Sequence, residues 1–164
     1  QIPMVFMTYA NVVFSYGTER FIKKASELGM DGLILPDVPY EEKEEFDSVC
    51  KKYDMDLISL IAPTSHERIS MIAKEASGFV YCVSSLGVTG VRKEFDTRID
   101  SFVAKVKEAT DTPACIGFGI STKADVERFD KIADGCIVGS AIVRKIFDSK
   151  MNIDEIKAFV SSLK

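Results

Sequence analysis

Residues 114–143 have the sequence ACIGFGISTKADVERFDKIADGCIVGSAIV, in which two apolar segments are each followed by glycine and a helical pattern. We predict a strand in each apolar segment. Both are apolar throughout, which is typical of strands buried on both faces of a parallel sheet. Glycine before a helix lets an anion approach free backbone N–H groups, so this stretch predicts a phosphate site at Gly119, Gly139 and Ser140. The alternative is that these glycines only permit tight turns.

The same alternation of apolar and helical segments extends along the whole chain. Amphipathic helices are predicted over Glu41–Tyr53 and Thr97–Ala109. The predicted strands are Met4–Thr8, Gly32–Leu35, Leu57–Ile61, Phe79–Val83, Ala114–Gly117 and Gly135–Val138. Capping-box spacing predicts helix starts at Thr64 with Glu67, Thr122 with Asp125, and Asn152 with Glu155.

Alternating strands and helices without a linker predict a single α/β domain, residues 1–164, with a parallel sheet. The sheet is either open and doubly wound or a (β/α)8 TIM-type barrel. A barrel typically needs about 250 residues and builds its phosphate site from the loops after strands seven and eight. If the Gly119 and Gly139 loops hold those positions, two strands and about 90 residues are expected before residue 1. The chain is then an incomplete barrel of six βα units, with open edges that favour pairing with another copy.

Composition excludes several classes of function. The chain is 46% hydrophobic and has a net charge of −4, so we expect neither nucleic acid nor a membrane as a partner. Four cysteines without a C-x-x-C pair, and a single histidine, argue against a zinc or other metal site. Free thiols indicate a reducing, cytoplasmic compartment.

Other candidate residues follow the strands. Ser84–Phe95 is long for a βα loop and contains two glycines, which predicts a mobile lid. The alternative is a surface loop without a role. Three aromatic residues lie at or near strand ends and are candidate walls of a flat apolar pocket: Tyr9, Tyr81 and Phe118. Asp37 is either a general base or part of a turn or subunit contact. The sequence contains no evident carboxylate pair or Ser-His-Asp set.

Together these loops resemble the tryptophan synthase alpha chain family. The specific pieces are Met7-Thr-Tyr-Ala-Asn11, Asp37-Val-Pro39, Gly87-Val-Thr-Gly90 and Gly117-Phe-Gly-Ile-Ser121, with Gly139-Ser-Ala-Ile-Val143 after them. The resemblance implies a (β/α)8 barrel that cleaves indole-3-glycerol phosphate to indole and glyceraldehyde 3-phosphate. It also implies a heterotetramer with a beta chain that carries pyridoxal phosphate, and no cofactor in this chain.

The resemblance also implies roles for individual residues. The implied phosphate ligands are Gly90, Gly119, Gly139 and Ser140, and the implied walls of the indole pocket are Tyr9, Tyr81 and Phe118. Thr89 resembles the lid residue that orients a catalytic carboxylate. Asn11, Asp37 and Pro39 resemble part of the surface that faces the beta chain.

One departure from the family pattern concerns catalysis. The family's catalytic Glu and Asp lie before the region that matches, so we expect no catalytic carboxylate in this chain and no appreciable cleavage by it alone. Two alternatives stay open. One is another phosphate-binding barrel lyase or isomerase, and the other is a non-catalytic phosphate-binding or regulatory module.

Overall fold

The computed structural model of the chain describes residues 2–65, 67–84, 92–117 and 119–164, and of residues 92–97 it describes only the backbone. The strands are β1 Val5–Met7, β2 Gly32–Ile34, β3 Asp56–Leu57, β4 Ser59–Ile61, β5 Val80–Val83, β6 Ala114–Gly117 and β7 Gly135–Ile137. The helices are α1 Ala10–Tyr16, α2 Thr18–Glu27, α3 Glu44–Lys52, α4 Arg68–Lys74, α5 Arg92–Ala109, α6 Lys123–Phe129, α7 Ser140–Asp148 and α8 Ile153–Ser162.

All strand pairings are parallel and follow chain order. One sheet has the order β1-β2-β3 and the other the order β4-β5-β6-β7. A doubly wound sheet would reverse its strand order at a switch point, whereas a barrel adds each strand beside the previous one. The strand order therefore supports the predicted barrel arrangement over the open sheet.

The predicted strand Leu57–Ile61 is instead two strands separated by Ile58. The first, β3, pairs with β2, while the second, β4, pairs with β5. Ile58 itself donates its N–H to the carbonyl of Leu33 at 2.9 Å, so it joins the two sheets. Strands of a barrel are staggered along their length, and this stagger makes one segment pair first with one neighbour and then with the other.

The helices cover one face of the strands. Leu33 and Leu35 of the first sheet contact α1, α2 and α3, and Ile61, Cys82 and Ile116 of the second contact α4, α5 and α6. The opposite face is filled by residues of the strands and their immediate flanks: Ile34, Ile58, Leu60, Phe79, Tyr81, Val83 and Ile137. Among the described residues no helix packs on this face, which is typical of the interior of a barrel, because a doubly wound sheet has helices on both faces.

The first strand corrects the prediction that every strand is buried on both faces. The strands β2, β5 and β6 are largely buried, but all three residues of β1 are exposed. Phe6 is 40% and Met7 56% accessible. The reason is position: β1 is the edge of its sheet and pairs only with β2 within the described residues.

Two of the three predicted helix starts are confirmed and one is wrong. Thr122 and Asp125 form a reciprocal capping box, and the Asn152 side chain accepts from the N–H groups of Asp154 and Glu155. The prediction at Thr64 is wrong, because residues Pro63–Ser65 form a 3-10 turn and α4 starts only at Arg68. Ser65 accepts a hydrogen bond from the Ala62 N–H, which stabilises this turn.

Both amphipathic helices are confirmed, with shifted ends. Helix α3 buries Phe46 and Cys50, and α5 buries Ile99, Phe102, Val103 and Val106. Every helix within the described ranges is too short or too polar to cross a membrane.

Candidate functional site

The two glycine loops lie side by side. Strands β6 and β7 are parallel neighbours, with Gly117 opposite Ile137, so their carboxyl ends meet at one edge of the sheet. A cavity of about 580 Å³ opens there and is lined by Tyr81, Gly119, Ile120, Ser121, Ile137, Gly139, Ser140, Ala141 and Arg144. The prediction that the Gly119 and Gly139–Ser140 loops share one mouth is confirmed.

The N-terminus of α7 is open toward this cavity. Gly139 precedes the helix and no side chain caps its N-terminus. A Cβ atom built on Gly139 would meet no atom within 4 Å, so the space beside it is empty. Helix N-termini carry a partial positive charge and unpaired N–H groups, so this end of α7 can receive an anion.

The N-terminus of α6 differs from this expectation. This N-terminus carries a side-chain cap, because the Thr122 hydroxyl accepts from the N–H of Asp125. The Asp125 carboxylate in turn accepts from the backbone N–H of Ser121 at 3.1 Å and of Thr122 at 2.9 Å, the two residues before the helix. Although burial opposes the effect, hydrogen bonds from the Thr122 hydroxyl and from these two backbone N–H groups lower the pKa of Asp125. The two helix N-termini therefore differ, since that of α6 has a side-chain cap and that of α7 has none. Gly119 of this loop is exposed, at φ +74°, and stays a candidate for backbone contact with an anion.

Tyr81 forms the inner wall of the cavity. It extends from β5 into the barrel interior, is 8% exposed and packs in one cluster with Ile34 and Ile58. Burial raises the pKa of its hydroxyl, so Tyr81 is a neutral hydrogen-bonding group. Its ring lies against Gly117, where a Cβ atom would come within 2.5 Å of the ring carbons Cε1 and Cζ. The absence of a side chain at Gly117 thus leaves the space that the Tyr81 ring occupies.

The other predicted pocket residues are not brought together in the described part of the structure. Tyr9 precedes α1 on the first sheet, is 62% exposed and does not line the cavity. Phe118, Thr89 and Gly90 lie outside the described residues, as does the central part of the predicted lid. The last residues of that lid belong to α5, which begins at Arg92.

Asp37 has a structural partner. Its carboxylate accepts from the N–H of Ala10, the first residue of α1, with oxygen–nitrogen distances of 3.0 and 3.2 Å. The Asp37 loop thereby caps the helix that follows β1. This contact favours the turn interpretation of Asp37 over a general base. Asn11, Asp37 and Pro39 are all exposed at this edge.

The cysteines and acidic residues of the described ranges offer no metal site. All four cysteines lie in the described ranges and are free, and burial raises the pKa of both Cys50 and Cys82 to about 12. No group of three His, Cys, Asp or Glu side chains that could hold a metal ion occurs in the described part of the chain.

One residue of the cavity was missed by sequence reasoning. Arg144 lines the cavity from α7, one turn after Ser140. The spacing of four residues in a helix could have identified it, because residues i and i+4 share a face.

Comparison with known proteins shows which family this chain resembles. The family model of the tryptophan synthase alpha chain matches residues 1–164. The chain is 45% identical over 166 aligned residues to a protein of Thermoanaerobacter sp. strain X514 named tryptophan synthase alpha chain. That alignment covers 99% of this chain and 63% of the relative.

Solved structures give the same result. Tryptophan synthase subunit alpha from Campylobacter jejuni superposes with a TM-score of 0.92 at 36% identity, over 100% of this chain and 66% of that one. A tryptophan synthase complex from Pyrococcus furiosus gives 0.84 at 29% identity, over 98% and 65%. The chain spans less than two thirds of the length of each of these three proteins.

Proposed function

The chain belongs to the tryptophan synthase alpha chain family, and from this premise we propose that it binds indole-3-glycerol phosphate for cleavage to indole and glyceraldehyde 3-phosphate. The observation that carries the proposal is the cavity at the carboxyl ends of β6 and β7. Glycine backbone and a helix N-terminus line this cavity together with an aromatic ring. These two chemistries match the two ends of the substrate.

The phosphate end is formed by Gly119, Gly139 and Ser140. The absence of a side chain at both glycines lets phosphate oxygens reach backbone N–H groups, and the Ser140 hydroxyl adds another donor. The α7 dipole favours the dianion without burying a cation. Gly90, from the lid, is proposed as a further ligand on the family pattern.

The indole end is formed by the barrel interior. Tyr81, Ile137 and their neighbours provide an apolar wall of the kind that holds a flat aromatic ring. We propose Tyr9 and Phe118 as further walls on the family pattern.

The reaction is a redox-neutral carbon–carbon cleavage. The bond between ring carbon C3 and the first glycerol carbon breaks, C3 gains a proton, and the hydroxyl on that glycerol carbon loses one as the aldehyde forms. A base that receives the indole N–H proton during this step returns it afterwards. Acid–base groups typically contribute about 10²–10⁴-fold each. Among the described residues no Asp or Glu lines the cavity, so we propose that this chain supplies binding and that the acid and base come from outside it. Thr89 would orient one of them.

A partner completes the proposal. We propose that the chain functions in a cytoplasmic alpha2beta2 heterotetramer with a beta chain that holds the pyridoxal phosphate. The proposed contact surface is Asn11, Asp37 and Pro39, which are exposed at the carboxyl edge of the first sheet. The reaction proposed for this chain itself needs no cofactor.

A non-catalytic phosphate-binding module is the second candidate. The observation that favours it is the same lack of a carboxylate at the cavity within the described ranges. Both candidates predict ligand binding by residues 1–164, and they differ in whether indole is released when acid and base are supplied.

The experiment combines binding and turnover. The chain contains no tryptophan, so the indole fluorescence of the ligand, excited at a wavelength that tyrosine does not absorb, reports its binding. We expect indole-3-glycerol phosphate to bind, and Gly139→Val to abolish binding while leaving the unfolding free energy unchanged within about 0.5 kcal/mol. Ser101→Val, on the exposed face of α5, is the control.

Turnover is measured as indole release by the chain alone and by a version extended with the family's preceding βα units. Release only by the extended version supports the lyase, and binding without release in either supports the module. Equal release by both would show that the catalytic groups lie within residues 1–164.

A further inference from the structure

The edge strand β1 has backbone groups that point away from its sheet. Met4 and Thr8, which flank β1, make backbone hydrogen bonds of 2.7 and 3.1 Å to residues of β2 or directly beside it. Orientation alternates along a strand, so the N–H and C=O groups of Val5 and Met7 point to the open side. Within the described ranges β1 pairs only with β2. These groups are therefore available to one further strand.

The side chains around β1 form an exposed apolar surface, which we call the edge patch. Phe6 and Tyr16 both lie against the ring of Phe21, with centroids 6.1 and 5.8 Å apart, so the strand and helix parts of this surface are continuous. Contiguous apolar patches on a protein surface typically mark interaction sites. The members of the edge patch are 37% to 84% exposed: Ile2, Met4, Val5, Phe6, Met7 and Tyr16.

The edge patch lacks the features that keep edge strands apart. Proteins usually protect such strands with charged side chains, above all lysine, or with proline. Residues 2–18 contain no Asp, Glu, Lys or Arg, and Pro3 lies before the strand. A surface without charge can meet its own copy without repulsion between like charges.

Two charged residues contact the edge patch, and they have opposite signs. The Arg20 guanidinium lies over the Tyr16 ring, and the Asp31 carboxylate accepts from the Met4 N–H. Arg20 is near the start of α2, which follows the carboxyl end of β1, whereas Asp31 precedes β2 at the amino end. An antiparallel contact between two copies puts the end that carries Arg20 toward the end that carries Asp31, so the charges are complementary.

The edge formed by β7 and α7 differs from the edge patch. Val143 and Phe147 are exposed apolar residues on α7. They alternate there with Arg144 and Asp148, whose side chains are 83% and 61% exposed. A contact between two copies at this edge would remove those charges from water, which is unfavourable. The β1 edge is therefore the one that favours a second copy.

We propose that β1 pairs antiparallel with β1 of a second copy, with Phe6 at the two-fold axis, and that the chain forms a symmetric homodimer. In this register Val5 lies opposite Met7 of the second copy, and each such pair exchanges both of its backbone hydrogen bonds. All the outward groups of β1 are then paired. The two Phe6 side chains lie opposite each other on one face, in the closer type of cross-strand pair.

The area of the edge patch fits a specific but weak dimer. A large apolar or aromatic side chain covers about 150–250 Å². The six residues at their observed exposures therefore offer on the order of 600 Å² per copy. Two copies would bury about 1,200 Å², which is the lower end of the range for specific interfaces. We accordingly expect a dissociation constant in the micromolar range.

The test measures the oligomeric state by sedimentation velocity over about 1–100 µM, which spans the expected dissociation constant. Wild type is expected to change from monomer to dimer as its concentration rises. Phe6→Lys and Phe6→Glu each place two like charges directly opposite each other and should weaken dimerisation about tenfold. A mixture of the two variants pairs opposite charges and should restore association. Phe147→Lys, which changes a more exposed aromatic residue outside the edge patch, is the matched control and should leave the dimer unchanged.

The remaining outcomes overturn the proposal. They are a monomeric wild type at every concentration, an equal effect of Phe147→Lys, and a mixture of the two Phe6 variants that stays monomeric although circular dichroism shows both to be folded. In the version extended with the family's preceding βα units, a new strand is expected beside β1. That version should be monomeric, and a dimer of it would place the contact elsewhere. The contact lies apart from the cavity after β6 and β7, so its failure leaves the proposed function intact.

Discussion

Replacing Gly117 by alanine tests whether the Tyr81 ring is fixed by the backbone of β6. The new Cβ would lie 2.5 Å from Cε1 and from Cζ of the ring, whereas carbon atoms in ordinary contact are about 3.5–4.0 Å apart. The ring must therefore move by about 1–1.5 Å. Its buried neighbours Ile34 and Ile58 oppose that movement.

The expected cost follows from two opposing effects. Overpacking of a dense core costs about 1–3 kcal/mol, and removing glycine from a strand returns about 0.5–1 kcal/mol. We therefore expect Gly117→Ala to lower the unfolding free energy by up to about 2.5 kcal/mol, measured by urea denaturation with linear extrapolation. Each kcal/mol lowers Tm by about 2–4 °C for a chain of this size.

Two further variants isolate the ring as the cause. In a Tyr81→Val background the obstructing atoms are absent, so Gly117→Ala should cost nothing or stabilise. Gly135→Ala on β7 is the control, because its Cβ would approach only the Cys115 sulfur, at 3.2 Å, and its cost should be smaller. If Gly117→Ala lowers the unfolding free energy equally with tyrosine and with valine at position 81, the Tyr81 ring is not the cause of the loss.

Thr122→Ala removes a complete capping box and should lower the unfolding free energy by about 1 kcal/mol. Thr64→Ala, at a site without a cap, should change it by less than about 0.5 kcal/mol. Equal effects of the two substitutions would contradict the capping role of Thr122. Hydrogen bonds from the Lys107 ammonium and from a backbone N–H lower the pKa of Asp134 below its usual 3.8. Its contribution to stability is thus complete above that pH and is lost as pH falls through the lowered value. The stability difference between wild type and Asp134→Asn should accordingly shrink between about pH 5 and pH 2, and a constant difference would be evidence against this linkage. Burial raises the pKa of Cys82 to about 12. A disulfide reagent at about pH 8 should therefore modify this thiol only after denaturant is added, as measured by mass spectrometry. Rapid modification of the native chain would exclude a buried, protonated thiol.

The sequence predicted those features that depend on local pattern. Unbroken apolar segments identified the strands, and the glycines before helical patterns located Gly119 and Gly139 at one cavity. The spacing of Thr122 and Asp125 also predicted a real capping box. Each of these features is decided by residues within a few positions of one another.

Features that depend on distant neighbours were not predicted. Nothing in the local sequence identifies Ile58 as the residue at which strand pairing changes from β2 to β5. That change follows from the stagger between strands. Apolar composition could not distinguish the exposed β1 from the buried β5, since it does not report which strands are adjacent. Thr64 had the right spacing for a cap, but a competing turn at Ser65 used the same backbone.

The separate pairing on the two sides of Ile58 has a consequence for how the chain unfolds. The elements before Ile58 and those after it enclose different helix-side cores, one around Val13 and Phe46 and the other around Val80 and Val103. The backbone hydrogen bond of Ile58 and the interior side chains around Tyr81 connect them. Cooperative unfolding units often coincide with such supersecondary blocks. The amide protons of the two cores are therefore expected to exchange with solvent as two groups with different opening free energies, and the weaker group sets the temperature at which the molecule first loses its order.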